Sequence, residues 1–150
     1  MVVDSILQDI KYADLTNIKI QEAKGRFEIV NDSPIKIIDG AHNYEGVEIL
    51  LRNYENKYGH LNTDLFVGFK KGKDINNIFN LIIGKTNYNL HLIEDDTFFD
   101  QEITKEIGYL LDKHGKNYKI SSLEQFNRNK NPSILLGSLY LIGEYKKRNI

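Results

Sequence analysis

Residues 35–46 read Ile-Lys-Ile-Ile-Asp-Gly-Ala-His-Asn-Tyr-Glu-Gly: an apolar run closed by an acid, a glycine turn, and polar side chains at the mouth of a helix. In α/β proteins, phosphates and nucleotides bind just beyond a strand's carboxyl end, facing a helix N-terminus whose N–H groups and dipole favour anions. Asp39 ends the run, where a charge is costly unless the strand opens onto solvent or a ligand. An acid so placed accepts hydrogen bonds from ribose hydroxyls or holds a metal-bound water; the alternative is a loop acid capping the next helix. Asn43 suits that capping position. His42 beside it is either a site residue or a surface loop histidine.

Three further segments carry residue types that do chemistry. Arg26 follows Gly25 and precedes a strand, so its guanidinium either forks onto phosphate oxygens or is a solvated charge. The run Gly68-Phe-Lys-Lys-Gly72-Lys73-Asp74 follows a strand and opens a helix, as a Walker A loop does. That motif needs four residues between its glycines and a Ser or Thr after the lysine to hold magnesium. Here three intervene and Asp74 follows Lys73, so the segment is not a P-loop. Gly137-Ser138-Leu139-Tyr140 comes directly after the last apolar strand. Ser138 can cap the helix it starts or hold a carboxylate, and Tyr140 lines a site or packs in the core. His60, His91 and His114 stand at no metal-ligand spacing and read as structural; no Ser-His-Asp pattern is visible.

The elements that must position these residues follow from periodicity and turn chemistry. Apolar positions over residues 4–20 have mixed spacing and suggest a short helix, a break and then a second helix or an extended lead-in. Strands are expected over 27–30, 35–39, 64–69, 88–93, 118–120 and 133–136, with a turn at Asn31-Asp-Ser-Pro34. Helices are expected over 44–58, 74–83, 101–114, 123–127 and 138–147. Val47, Leu50, Leu51 and Tyr54 form one stripe, with Gly59 and Gly115 closing helices and Ser121 or Ser122 capping the fourth. Strands alternating with helices at this spacing mean β-α-β units in a mainly parallel sheet. The expected fold class is α/β, a Rossmann-like three-layer sandwich in one domain.

Composition sets outer limits. With 150 residues the chain can bury a sizeable core, and 41% hydrophobic with 27% charged residues is ordinary for a globular protein. A net charge of −1 supplies no field to draw in nucleic acid or an acidic membrane. The Lys146-Lys147-Arg148 cluster reads as the solvated last turn of a helix. There is no cysteine, which excludes disulfides, thiolate metal sites and a cysteine nucleophile. No apolar run approaches the roughly 20 residues that span a bilayer, and no signal pattern opens the chain. The expectation is a cytoplasmic protein.

Taken together, Gly25-Arg26-Phe27-Glu28, Asp39-Gly40-Ala-His42-Asn43 and Gly137-Ser138-Leu-Tyr140 resemble the C-terminal domain of folylpolyglutamate synthase/dihydrofolate synthase, of the Mur ligase family, from about residue 17 to 148. The resemblance implies a linker or end of a preceding domain over 1–20 and a Mur-ligase-type glutamate ligase domain over 21–150. It implies ATP, with Mg2+ in the complete enzyme, and an acyl phosphate that the amino group of glutamate attacks. Arg26 and Asp39 then bind the nucleotide, and His42 lies by the phosphate and the incoming glutamate. Lys73, Ser138 and Tyr140 line the glutamate pocket. The chain departs from the family in having Lys24 and Tyr44 where prolines are usual, Gly72 for an aspartate and Leu136 for a threonine. No segment supplies a P-loop, a folate site or the activating lysine, so the partner is an N-terminal P-loop ATPase domain of the same enzyme and the acceptor is folate or dihydropteroate. Alone the chain should be inactive. The competing reading is a free-standing, non-catalytic nucleotide- or amino-acid-binding module; a ligase for peptidoglycan precursors shares the fold but fits the motifs less well.

Overall fold

A computed structural model describes residues 24–70, 74–95 and 101–149. The lead-in expected over 1–20 and the candidate Lys73 lie outside the described residues. In chain order the elements are β1 (Glu28–Asp32), β2 (Ile35–Asp39), α1 (Tyr44–Tyr58), β3 (Thr63–Val67), α2 (Ile75–Ile83), β4 (Tyr88–Ile93), α3 (Gln101–Lys113), β5 (Tyr118–Ser121), α4 (Leu123–Arg128), β6 (Ser133–Leu136) and α5 (Leu139–Arg148). The strands form one sheet in the order β1-β2-β6-β3-β4-β5. β1 runs antiparallel to β2 and every other pairing is parallel.

Both faces of the sheet are covered, which is why β3 and β6 are buried along their whole length. On one face, Ile37, Leu65, Val67, Leu90, Leu92, Ile134 and Leu136 meet the apolar stripes of α1, α2 and α3. On the other, Ile38, Phe66, Ile93 and Leu135 meet Leu123 and Phe126 of α4 and Leu141, Ile142 and Tyr145 of α5. The expected three-layer α/β sandwich is the observed one.

Local chemistry sets the element ends. The Asn43 side chain accepts from the Gly46 N–H at 2.8 Å and starts α1; Gly59, at φ 71°, ends it. Ser122 and Gln125 form a reciprocal capping box on α4. Two expectations need correction. The turn expected over Asn31–Pro34 is shorter, because Asn31 and Asp32 pair with Lys36 and Ile35 and only Ser33-Pro34, joined by a cis peptide, turn the chain. The basic end of α5 is not simply solvated. Lys146 pairs with Glu28 at 2.7 Å and Arg148 with Asp95 at 2.6 Å, because α5 packs beside both partners.

Topology places the site. β2 and β6 are neighbours, yet β2 feeds α1 on one face while β6 feeds α5 on the other. Their outgoing loops therefore part, leaving a crevice beyond the carboxyl ends of the strands, the usual ligand position of an open α/β sheet.

Candidate functional site

Asp39 closes β2 opposite Leu136 of β6. One carboxylate oxygen accepts from the Phe27 N–H at 2.9 Å and the other from the Ala41 N–H at 2.8 Å. The Gly40 N–H in turn donates to the Gly25 carbonyl at 2.7 Å. The bonds from Phe27 and Gly40 tie the loop before β1 to the loop after β2, and the bond from Ala41 fixes the carboxylate between them. The glycine at 25 (φ 79°) and Phe27, held at φ 42°, bend the chain tightly on either side of Arg26 and leave its side chain exposed at the crevice. Burial pushes the Asp39 carboxyl up, against the two N–H bonds and the Arg26 charge, which hold it down. Glu28 adds a further tie by accepting from the Gly25 N–H at 2.7 Å.

His42 is half-buried, with Nδ1 2.9 Å from the Gly40 carbonyl oxygen. A carbonyl can only accept, so Nδ1 carries the proton and, in the neutral ring, Nε2 is the basic nitrogen. The imidazole borders two adjoining cavities. One, of about 250 Å³, is lined by Arg26, Asp39, His42, Asn53 and the apolar Ile49 and Leu139. The other, of about 190 Å³, is lined by His42, Lys70, Gly137, Ser138, Leu139 and Tyr140.

Close backbone packing forms the floor of the second cavity. Gly137 adopts φ +126°, and a Cβ there would lie 2.3 Å from the Gly68 carbonyl oxygen. The Gly68 N–H donates to Leu136 at 3.0 Å, so the ends of β3 and β6 lie against each other. Ser138 caps α5, its hydroxyl oxygen accepting from the Tyr140 N–H at 3.1 Å. Tyr140 is exposed rather than core, and the Lys70 ammonium sits 4.1 Å from its ring centroid.

The structure thus brings Arg26, Asp39, His42, Ser138 and Tyr140 to one crevice. Lys70 is the addition that residue-by-residue reading missed; its signal was its place in the basic loop after β3. Among the described residues, no group of three or more His, Cys, Asp or Glu side chains is placed to hold a metal. A second polar cluster lies on the α4 face of the sheet, away from this crevice. His91 contacts the Ser121 hydroxyl at 2.8 Å, stacks on Phe66 at 4.2 Å, and lies 3.8 Å from Asp64. Asp64 also accepts from the side-chain amides of Asn89, Asn129 and Asn131. Asp64 is too far from His91 for a hydrogen bond and Ser121 is buried, so this is a packed polar cluster and not a hydrolytic triad.

No protein-family model matches the chain, and no curated protein matches it in sequence. Solved structures do. Folylpolyglutamate synthase from Thermotoga maritima superposes with a TM-score of 0.71 at 24% identity, over 90% of this chain and 32% of that one. The bifunctional folylpolyglutamate synthase/dihydrofolate synthase of Yersinia pestis, complexed with AMPPNP and a Mn ion, gives 0.65 at 18% identity, over 87% and 32%. Folylpolyglutamate synthase of Mycobacterium tuberculosis, complexed with ADP, gives 0.64 at 14% identity, over 84% and 32%. The chain therefore shares the fold of the C-terminal domain of such enzymes and spans about a third of their length.

Proposed function

We propose that this chain is the C-terminal domain of an ATP-dependent ligase of the folylpolyglutamate synthase/dihydrofolate synthase type, contributing nucleotide and glutamate contacts. The observation that carries the reading is the Asp39 clamp, which holds Arg26 and His42 at one cavity beyond the carboxyl end of β2. Arg26 presents a fork suited to phosphate oxygens. The exposed apolar walls Ile49 and Leu139 suit the base of a nucleotide or the surface of a second domain. Asp39 spends one acceptor direction of each oxygen on the backbone and keeps another for a ribose hydroxyl.

In the proposed reaction, a phosphoryl group passes from ATP to the carboxylate of the acceptor, releasing ADP. The glutamate amine attacks the activated carbonyl, phosphate leaves, and the amine gives up a proton. His42 lines both cavities with Nε2 as its basic nitrogen, and we assign it the acceptance of that proton. The residues fit the nucleotide and amino acid better than the metal: with no described carboxylate cluster, Mg2+ would be held by a P-loop ATPase domain. Folate or dihydropteroate would also lie on that domain, and a cytoplasmic setting fits those substrates.

The test is ligation of glutamate with this chain joined to such a P-loop domain. Arg26→Ala is expected to lower kcat/KM for ATP by about 10²- to 10³-fold, the scale for loss of a charge-stabilising group. His42→Ala is expected to act on glutamate use, with both variants folding normally. Near-native turnover of either would remove its assigned role. Binding of nucleotide or glutamate with no ligation in the joined protein would favour the non-catalytic binding module.

A further inference from the structure

We propose that two copies of this chain pair about a two-fold axis through the outer edge of β5 and the stripe of α3 beside it. This goes beyond the ligase reading and is independent of it, since β3 and β4 separate β5 from the strands that carry the crevice. An edge strand presents unpaired N–H and C=O groups to any strand that can align with it. β1, at one edge of the sheet, is irregular between Ile29 and Asn31 and ends in Asp32, features that discourage pairing. β5, at the other, pairs with β4 in unbroken register, and among the described residues nothing pairs with its far side. The Ser121 carbonyl accepts from the Glu94 N–H at 2.8 Å and so faces β4. Neighbouring residues of a strand turn their backbone groups to opposite sides, so Ile120 presents its N–H and C=O outward. Its side chain is 47% exposed, and Tyr109 of α3 is 73% exposed. With Gln101, Lys105, Asp112 and Tyr118 these two line a groove of about 470 Å³ between the strand edge and the helix.

Charge identifies the occupant as a second copy. Lys105 and Asp112 both line the groove, and neither forms an ion pair among the described residues. Seven residues separate them by about 10 Å of helix, too far for them to meet each other. A two-fold axis midway, level with Gly108 and Tyr109, sets two copies of α3 antiparallel and brings each Lys105 to the Asp112 of the other copy. Only a patch that carries both signs symmetrically about its centre can complement itself in this way. The exposed Glu106 and Lys113 repeat the opposite-sign spacing one residue further round the helix. The strand agrees in height. About 9 Å of helix separate Tyr109 from Gly115 and about 10 Å of extended chain separate Ile120 from Asn117, so an axis that meets Tyr109 also meets Ile120. Ile120 then pairs with Ile120 of the other copy, Lys119 lies opposite Ser121, and no like charges face each other across the ladder.

One strand edge and one helix stripe make a small interface, about 1,200 Å² or less, so a reversible dimer with a dissociation constant of about 10–100 µM is expected. The experiment is sedimentation velocity of the full chain from about 5 µM to about 1 mM, a range that spans that constant. The native chain is expected to pass from monomer to dimer. Lys105→Asp and Asp112→Lys each set like charges against each other at the axis and should weaken the dimer at least about tenfold. The double variant Lys105→Asp/Asp112→Lys restores opposite signs and should restore the dimer, with thermal melts confirming that all three variants fold alike. A native chain that stays monomeric at the top of the range overturns the proposal. A dimer indifferent to both single swaps overturns it too, because the contact then lies elsewhere, as does a double variant that fails to recover. A monomer whose Tm falls on Lys105→Asp would show this face covered from within the chain, which also rules out the pairing.

Discussion

At the scale of single residues, one type serves different ends in different settings. Asp39 and Asp64 both lie in strands of the same sheet, yet their partners differ. Asp39 is met by two backbone N–H groups and by Arg26, and burial still pushes its carboxyl up. Asp64 is also raised by burial, but three asparagine amides and His91 outweigh this and hold it down. His91 is shifted down: burial dominates, Lys119 adds to it, and the Asp64 charge opposes it. Its folded pKa therefore lies below the ordinary value of about 6.5. Between those two pKa values the unfolded chain binds the extra proton, so stability falls as pH drops through about 6.5. Thermal melts at pH 7.5 and 5.5 should show a smaller loss of Tm for His91→Gln than for the native chain; equal losses would remove His91 as the cause. None of this cluster was legible in the sequence. Its hydrogen-bonded pairs lie 25 to 67 residues apart and meet only because β3, β4, β5 and the loop before β6 lie side by side. Arg26, Asp39 and His42 were legible because motif and strand end coincide. The internal use of Asp39 was not, since Phe27 lies twelve residues away and becomes its neighbour only through the hairpin.

At the scale of elements, the strongly periodic segments were readable and the short paired ones less so. α1 was legible to its ends because an Asn cap, an apolar stripe and a closing glycine agree. The extent of β1 was not, because Asn31 and Asp32 have turn-forming side chains but are held extended by pairing with β2. Two glycines at the crevice make contrasting predictions. Gly137→Ala would force a Cβ into the Gly68 backbone at a φ that L-residues avoid, so a loss of about 2–4 kcal/mol in denaturant unfolding is expected. Gly40→Ala would meet Cδ2 and Cγ of Leu139 at 2.3 and 2.7 Å, so that this exposed side chain must turn to another rotamer while no backbone atom lies closer than 3.4 Å. It should unfold almost like the native chain but weaken ligand binding, because Leu139 is a wall of both cavities. If both variants unfolded alike, the rigid β3–β6 junction would be disproved.

At the scale of the whole molecule, the described residues gather cations, a histidine and apolar walls at the carboxyl edge of the sheet. The folylpolyglutamate synthases it resembles in fold are about three times longer. One consequence concerns the last helix. α5 begins at the Ser138 cap beside the second cavity, and in its last turn Lys146 pairs with Glu28, which in turn holds the Gly25 N–H beside Arg26. The helix thus holds the loop around Arg26 at two points: Leu139 and Ile142 lie beside Gly25, and Lys146 in the last turn holds Glu28. Lys146→Met should therefore speed hydrogen exchange at the Gly25 amide while leaving Tyr140 unchanged, and no change at Gly25 would show that the far end bears no strain. With that connection intact, any displacement of α5 would be felt in the loop that carries Arg26.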